Sequence, residues 1–262
     1  MTGQDGFAED LTACAALVQR GDPDRFMAAM AAPVAARRVL FPIYAMNVEV
    51  ARAPWVTQEA MIAEMRLQWW RDAVAEIAAG GLVRRHEVVT PLAEVLRPDL
   101  AAQADEMIAV RRWDIYRDPF EDSDHFERYI EQTAGTLMWL AARMLGAAEE
   151  EVVRDFAFAS GLANWFRAIP ELEVLRRVPL LDGTPDGVRA LARHGLARLA
   201  RARARRREIG KDAGAALLAG WQGETILRQV VESPARVAEG RLGASEARKR
   251  LGLMWQAAAG RW

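Results

Sequence analysis

The sequence predicts a single all-helical domain, and three observations carry that prediction. Apolar residues recur at steps of three and four along nearly all of the chain, sustained alternation of β-branched residues is almost absent, and Ala, Leu, Arg and Glu dominate. At 262 residues the chain is long for one domain, yet neither a composition shift nor a Gly, Ser or Pro-rich linker divides residues 1–262. With 52% hydrophobic residues, a chain of this size buries about three quarters of its unfolded surface without help from a metal or disulfide.

The elements follow in order. Pro33 suits the first position of a helix that ends at Ala53, because a residue before proline, here Pro54, is pushed out of helical geometry. Thr57 is a candidate N-cap for the next helix, which Gly80 and Gly81 close. Thr90 and Pro91 start a shorter one. An acidic loop over 118–124 leads to a helix capped by Ser123 and closed at Gly146, and another spans Ala148 to Ile169, where Pro170 interrupts the pattern. Pro179, Gly183, Pro185 and Gly187 mark a loop. Helices return from Gly187, from Ala213 to Val231 and from Ser245 to Ala259.

Composition and motifs exclude several functions. The 35 basic and 36 acidic residues give a net charge of -1, so no global field draws the chain to nucleic acid, and no nucleic-acid partner is expected. The lone Cys14 and an acidic start (Asp5, Glu9, Asp10) predict a reducing, cytoplasmic setting. Apolar runs are broken by charge, as at Arg37, Arg38 and Glu49, short of the roughly 20 residues that a membrane span needs. His86, His125 and His194 stand far apart, without carboxylates at zinc-ligand spacing. Phosphate loop, dinucleotide fingerprint and nucleophile elbow are all missing.

Two charge features remain. Arg201, Arg203, Arg205, Arg206 and Arg207 form a basic run that could meet RNA, anionic lipid or an acidic partner, although the plainer expectation is a solvated helix paired with nearby carboxylates. Asp72 and Glu76 are one turn apart and could share a cation, but the plainer expectation is an exposed charged face behind Trp69 and Trp70.

Three stretches form an ordered set: Arg38 to Ala51 with Arg66 to Asp72, then Phe126 to Leu137, then Gly161 to Leu172 running into Arg177 to Leu181. In order and separation they resemble the squalene and phytoene synthase family of the isoprenoid-synthase fold. Tyr44-Ala45, Trp70-Arg71, Thr133-Ala134-Gly135 and the trio Leu162, Asn164 and Arg167 match family motifs. The resemblance implies an all-helical bundle in which two Asp-x-x-x-Asp motifs hold magnesium and a substrate diphosphate. Aligned here, the first motif falls on Ala51 and Trp55 and the second on Ala168 and Leu172. All four aspartates are gone, leaving single carboxylates at Glu49 and Glu171.

That loss implies no metal, no catalytic residue and no prenyl transfer, because arginines alone only partly offset charge building on a leaving diphosphate. Met65 to Trp70, Ala45 to Glu49 and Phe166 to Pro170 are similar to a degenerate branch of the family that includes a mitochondrial complex I assembly factor. The resemblance therefore implies a scaffold or chaperone in assembling complex I, with its subunits or intermediates as partners and a peripheral contact with the inner membrane. A cavity for a lipid or isoprenoid would be lined by Tyr44, Asn47, Glu49, Gln68, Asn164 and Arg167; for each, plain helix packing is the competing role. The alternative is an active head-to-head prenyltransferase with magnesium held by Glu49, Asp72, Glu76 or Glu171.

Overall fold

The computed structural model describes residues 3–262. Helices α1 (Gly3–Gly21), α2 (Pro23–Ala31) and α3 (Val34–Arg52) are followed by α4 (Ala60–Ala78), α5 (Val89–Val95), α6 (Pro98–Val110) and the single turn α7 (Trp113–Tyr116). Then come α8 (Ser123–Ile130), α9 (Thr136–Leu145), α10 (Glu150–Val174), α11 (Pro185–Ala204), α12 (Gly214–Leu217), α13 (Gly223–Glu232), α14 (Ala235–Ala238) and α15 (Glu246–Ala259). Among the described residues the only extended pairing is an isolated bridge between Ala148 and Ile209.

The core forms where α3, α9 and α10 are apolar nearly all round. α3 buries Leu40 through Val48 without a gap, and α10 buries most positions from Val152 to Ala163. Helices apolar on every side belong in the interior, so their neighbours wrap them. α1, α2 and α5 pack on α3, while α11 and α13 cover α10. Cys14 lies in this core, where burial pushes its thiol up to about 12, so it is a packing residue and a poor nucleophile.

Several boundaries differ from the sequence expectation. Pro33 is the N-cap of α3, and α4 starts at Ala60 because the Thr57 hydroxyl accepts from Glu59 N at 3.1 Å in a local turn. α8 is capped by the Asp122 carboxylate, which accepts from His125 N, and Ser123 is already helical. α10 runs through Pro170 to Val174, since Ile169 and Leu172 on either side are buried and their packing outweighs the missing backbone donor.

Two departures shape the cavity described below. The expected helix from Ser123 to Gly146 contains a π-helical turn over Glu131–Gly135 between α8 and α9. The expected helix from Ala213 to Val231 is broken by a 3-10 turn at Leu218–Gly220. There the backbone of Gly220 presses on α10: a Cβ would lie 2.5 Å from Phe156 Cε1 and 2.9 Å from Ser160 Cβ. No side chain fits, and glycine weakens helix continuity at that point.

Candidate functional site: an apolar-walled cavity

A cavity of about 820 Å³ lies between the start of α2, the end of α3, the π-turn, α10 and the Leu218–Gly220 turn. Its volume falls in the range of small-molecule sites. Ala51 and Trp55 contribute to one side, and Ala168 and Leu172 to α10's side. The four positions to which the resemblance assigns the missing aspartates thus line the cavity with apolar side chains.

The carboxylates at the wall are mostly committed elsewhere. Asp22 caps α2 by accepting from Arg25 N at 2.9 Å and also pairs with the Arg25 guanidinium. Asp24 holds Arg167 at 2.6 Å. Asp114 pairs with Arg111 at 3.3 Å, and among the described residues Glu171 is the wall acid with no arginine or lysine within ion-pair distance. Among the described residues, no three His, Cys, Asp or Glu side chains gather into a group able to hold a metal. The residues present do not fit a magnesium cluster, which needs several oxygen donors and negative charge in one place.

Deeper in the wall is a polar network that sequence reasoning missed. Tyr129 Oη donates to Asp114 Oδ1 at 2.8 Å, and Arg111 reaches both Tyr129 Oη at 3.1 Å and Asp114 Oδ2 at 3.3 Å. Burial first, and then the charge of Asp114, push the Tyr129 phenol far above its ordinary range, so it remains a neutral hydrogen-bonding group. Arg177 donates to the Asp114 carbonyl, and its guanidinium lies 4.8 Å from the Trp55 ring centre and 5.5 Å from that of Trp113. Burial lowers the pKa of Arg177. Arg177 thereby fastens the Trp55 side of the cavity to α7. Asp114 and Arg177 are 63 positions apart, so no local spacing signals the pair.

The expected lining residues divide. Asn47, Asn164 and Arg167 are on the wall. Tyr44, Glu49 and Gln68 are not. Tyr44 is in the core, where its hydroxyl reaches Ala216 O at 3.5 Å. Glu49 points off the wall side of α3 and pairs with Arg52 at 3.6 Å. Gln68 is exposed on α4 and donates to Asp72 at 2.7 Å. Helical phase turns Glu49 off the face that Asn47, Val48 and Ala51 share, whereas Tyr44 shares that face and is kept out by depth, lying about two turns before Ala51 in the packed core.

The remaining charge features also resolve into pairs. Glu76 is held by Arg84 at 2.5 Å and Arg71 by Asp105 at 2.7 Å, so Asp72 and Glu76 do not converge on one point. In the basic run, Arg201 binds Asp155 at 2.9 Å, Arg203 binds Glu224, and Arg205 binds Glu151 and Glu208. Most of that charge is neutralised within the fold. α11 also stops at Ala204, and Arg206 and Arg207 sit in a 3-10 turn, so the run is not one helix face.

An all-helical bundle around a cavity at these positions is the architecture of the isoprenoid synthases. The chain superimposes on a dehydrosqualene synthase solved in complex with ligand, with a TM-score of 0.79, covering 97% of this chain and 96% of that one at 14% identity. It also superimposes on the squalene synthase HpnC from Alicyclobacillus acidocaldarius, with a TM-score of 0.70 over 91% of this chain and 97% of that one at 16% identity. Residues 18–181 match the squalene/phytoene synthase family, and the chain belongs to that family.

Among its curated relatives are proteins named NADH dehydrogenase (ubiquinone) complex I, assembly factor 6. The Drosophila melanogaster homolog is 27% identical over 166 residues, covering 60% of this chain and 50% of that protein. The Bos taurus protein is 24% identical over 169 residues, covering 63% and 51%. The Homo sapiens protein is 22% identical over 161 residues, covering 60% and 48%. The matched region thus spans about half the length of these relatives.

Proposed function

We propose that this protein is a catalytically degenerate member of the squalene/phytoene synthase family that acts as a scaffold or chaperone in assembling the respiratory NADH:quinone oxidoreductase, complex I. The observation that carries the proposal is that Ala51, Trp55, Ala168 and Leu172, to which the resemblance assigns the family's metal ligands, line the cavity with side chains that cannot bind a cation. Prenyl transfer requires a diphosphate to leave, and without clustered carboxylates nothing here would assemble the cations that stabilise it. The names of the relatives support the assembly role. Its partners would be complex I subunits or assembly intermediates.

The cavity would serve this role by holding a lipid or isoprenoid chain against Ala51, Leu172 and their neighbours, with Asn47, Asn164 and Arg167 facing its polar end. Among the described residues no helix is long and apolar enough to cross a membrane. The chain would meet the inner membrane from its surface.

Deleting the gene tests the role. Membranes from the deletion strain should lose most NADH:quinone activity and accumulate subcomplexes on native gels, and a wild-type copy should restore both. Normal activity with fully assembled complex would overturn the proposal. So would release of pyrophosphate from farnesyl or geranylgeranyl diphosphate with magnesium, at a rate abolished by Glu171→Gln, since that would make the protein an enzyme.

A further inference from the structure

Helix α15 carries two apolar sides where the fold uses one. Its inner side buries Leu253 and packs against α2 and the Leu218–Gly220 turn, with Gln256 Nε2 donating to Trp221 O at 3.2 Å. Its outer side exposes Leu251 at 67%, Met254 at 66% and Trp255 at 59%, with Ala247 and Ala258 also exposed. Positions 247, 251, 254, 255 and 258 recur at helical spacing and form one stripe. Large apolar side chains left open in register along a helix call for a partner.

The charges around the stripe say which kind. Arg248 and Arg250 flank it, and the Arg261 guanidinium lies 5.5 Å from the Trp255 ring centre. Arg206 donates to Gly260 O at 3.2 Å beside the end of the helix, and Arg207 follows it in the chain. Among the described residues none of these five arginines is within ion-pair distance of a carboxylate. Their neighbours Arg203, Arg205, Arg241 and Lys249 all are. Unlike most of the basic run, this group keeps its positive charge in a chain whose net charge is only -1.

We propose that the outer face of α15, with Arg206, Arg207, Arg248, Arg250 and Arg261, is the surface by which this protein docks on an anionic lipid bilayer. Leu251, Met254 and Trp255 would enter the boundary between headgroups and acyl chains, while the arginines extend to lipid phosphates. A single convex helix face suits a bilayer, which needs no matching relief. The five stripe positions and five arginines are fewer than the about 20–30 residues a side that a specific protein interface commonly uses. The inference deepens the peripheral-membrane part of the proposed function and is independent of the assembly role.

Flotation of the purified full chain with vesicles tests it, using phosphatidylcholine alone or with about a third phosphatidylglycerol to supply anionic surface. The wild-type protein should float with the anionic vesicles and remain behind with the neutral ones. Combined Leu251→Ser, Met254→Ser and Trp255→Ser should cut the bound fraction about tenfold, and Arg248→Glu, Arg250→Glu and Arg261→Glu should do so independently, each without moving the melting temperature because these side chains are exposed. If the wild-type protein floats with neither vesicle, both the inference and the peripheral contact fall. Flotation that both variants retain overturns the inference and leaves the peripheral contact standing. A wild-type dimer that the serine variant converts to monomer, with no vesicle binding, would make the stripe a protein interface and overturn the inference too.

Discussion

Asp155→Ala is expected to cost about 3 kcal/mol of folding stability, read as a lower urea midpoint with an unchanged slope. Asp155 is buried on α10 and accepts from Arg198 at 2.6 Å and from Arg201 at 2.9 Å, both on α11. Removing it leaves the buried Arg198 guanidinium with one remaining carboxylate, Glu131 at 2.5 Å on the π-turn. Loss of one partner from a buried pair costs about 3–5 kcal/mol, and the surviving Glu131 contact places the expected value at the low end. A loss under about 1 kcal/mol would show that solvent already carries this charge.

The pH dependence follows with its sign. Desolvation acts to raise the Asp155 pKa, but its bonds to Arg201 and Arg198 prevail and hold it below the ordinary 3.8. A carboxyl depressed in the folded state contributes stability that is present above its unfolded pKa and is lost as pH falls through its folded value. The gap between wild type and Asp155→Ala should therefore persist down through pH 3.8 and narrow only below it. A gap that closes above that value would contradict the assigned pairing.

Gly161→Ala should destabilise by about 1–3 kcal/mol even though alanine is the better helix former. Gly161 is on the cavity wall in α10, and a Cβ there would sit 2.5 Å from Ala134 Cβ and 3.1 Å from Ile130 Cγ2. Neither neighbour is the end of a flexible chain that can swing away. The propensity gain of about 1 kcal/mol is smaller than the cost of parting α10 from the π-turn. Adding Ala134→Gly should recover part of the loss, because it removes the methyl that collides. A double variant whose effects simply add would show that the contact is not the cause.

Gly161 and Ala134 belong to the stretches through which the family is visible in the sequence, yet the sequence gives no reason for their small size. The reason is a contact between elements far apart in the chain. Tyr44 teaches the converse: it matches a family motif but is in the core and does not reach the cavity. A motif fixes the residue and its helix; Tyr44 shares the helix face of Asn47 and Ala51, and the packing at its depth along α3 decides that it meets the core instead of the cavity.

What the sequence alone determined is what depends on periodicity and on residue identity. Three-and-four spacing is enough to make the chain helical, and the ordered motifs are enough to reveal the squalene/phytoene synthase family that residues 18–181 match. Tertiary structure decided which charges remain free. The sequence presents Arg201 to Arg207 as one basic run, but Asp155, Glu224 and Glu151 arrive from α10 and α13 to pair Arg201, Arg203 and Arg205, leaving Arg206 and Arg207 beside α15. Helix formation is governed by neighbours a few residues away, whereas charge neutralisation acts over a few ångströms of space between residues the chain separates widely.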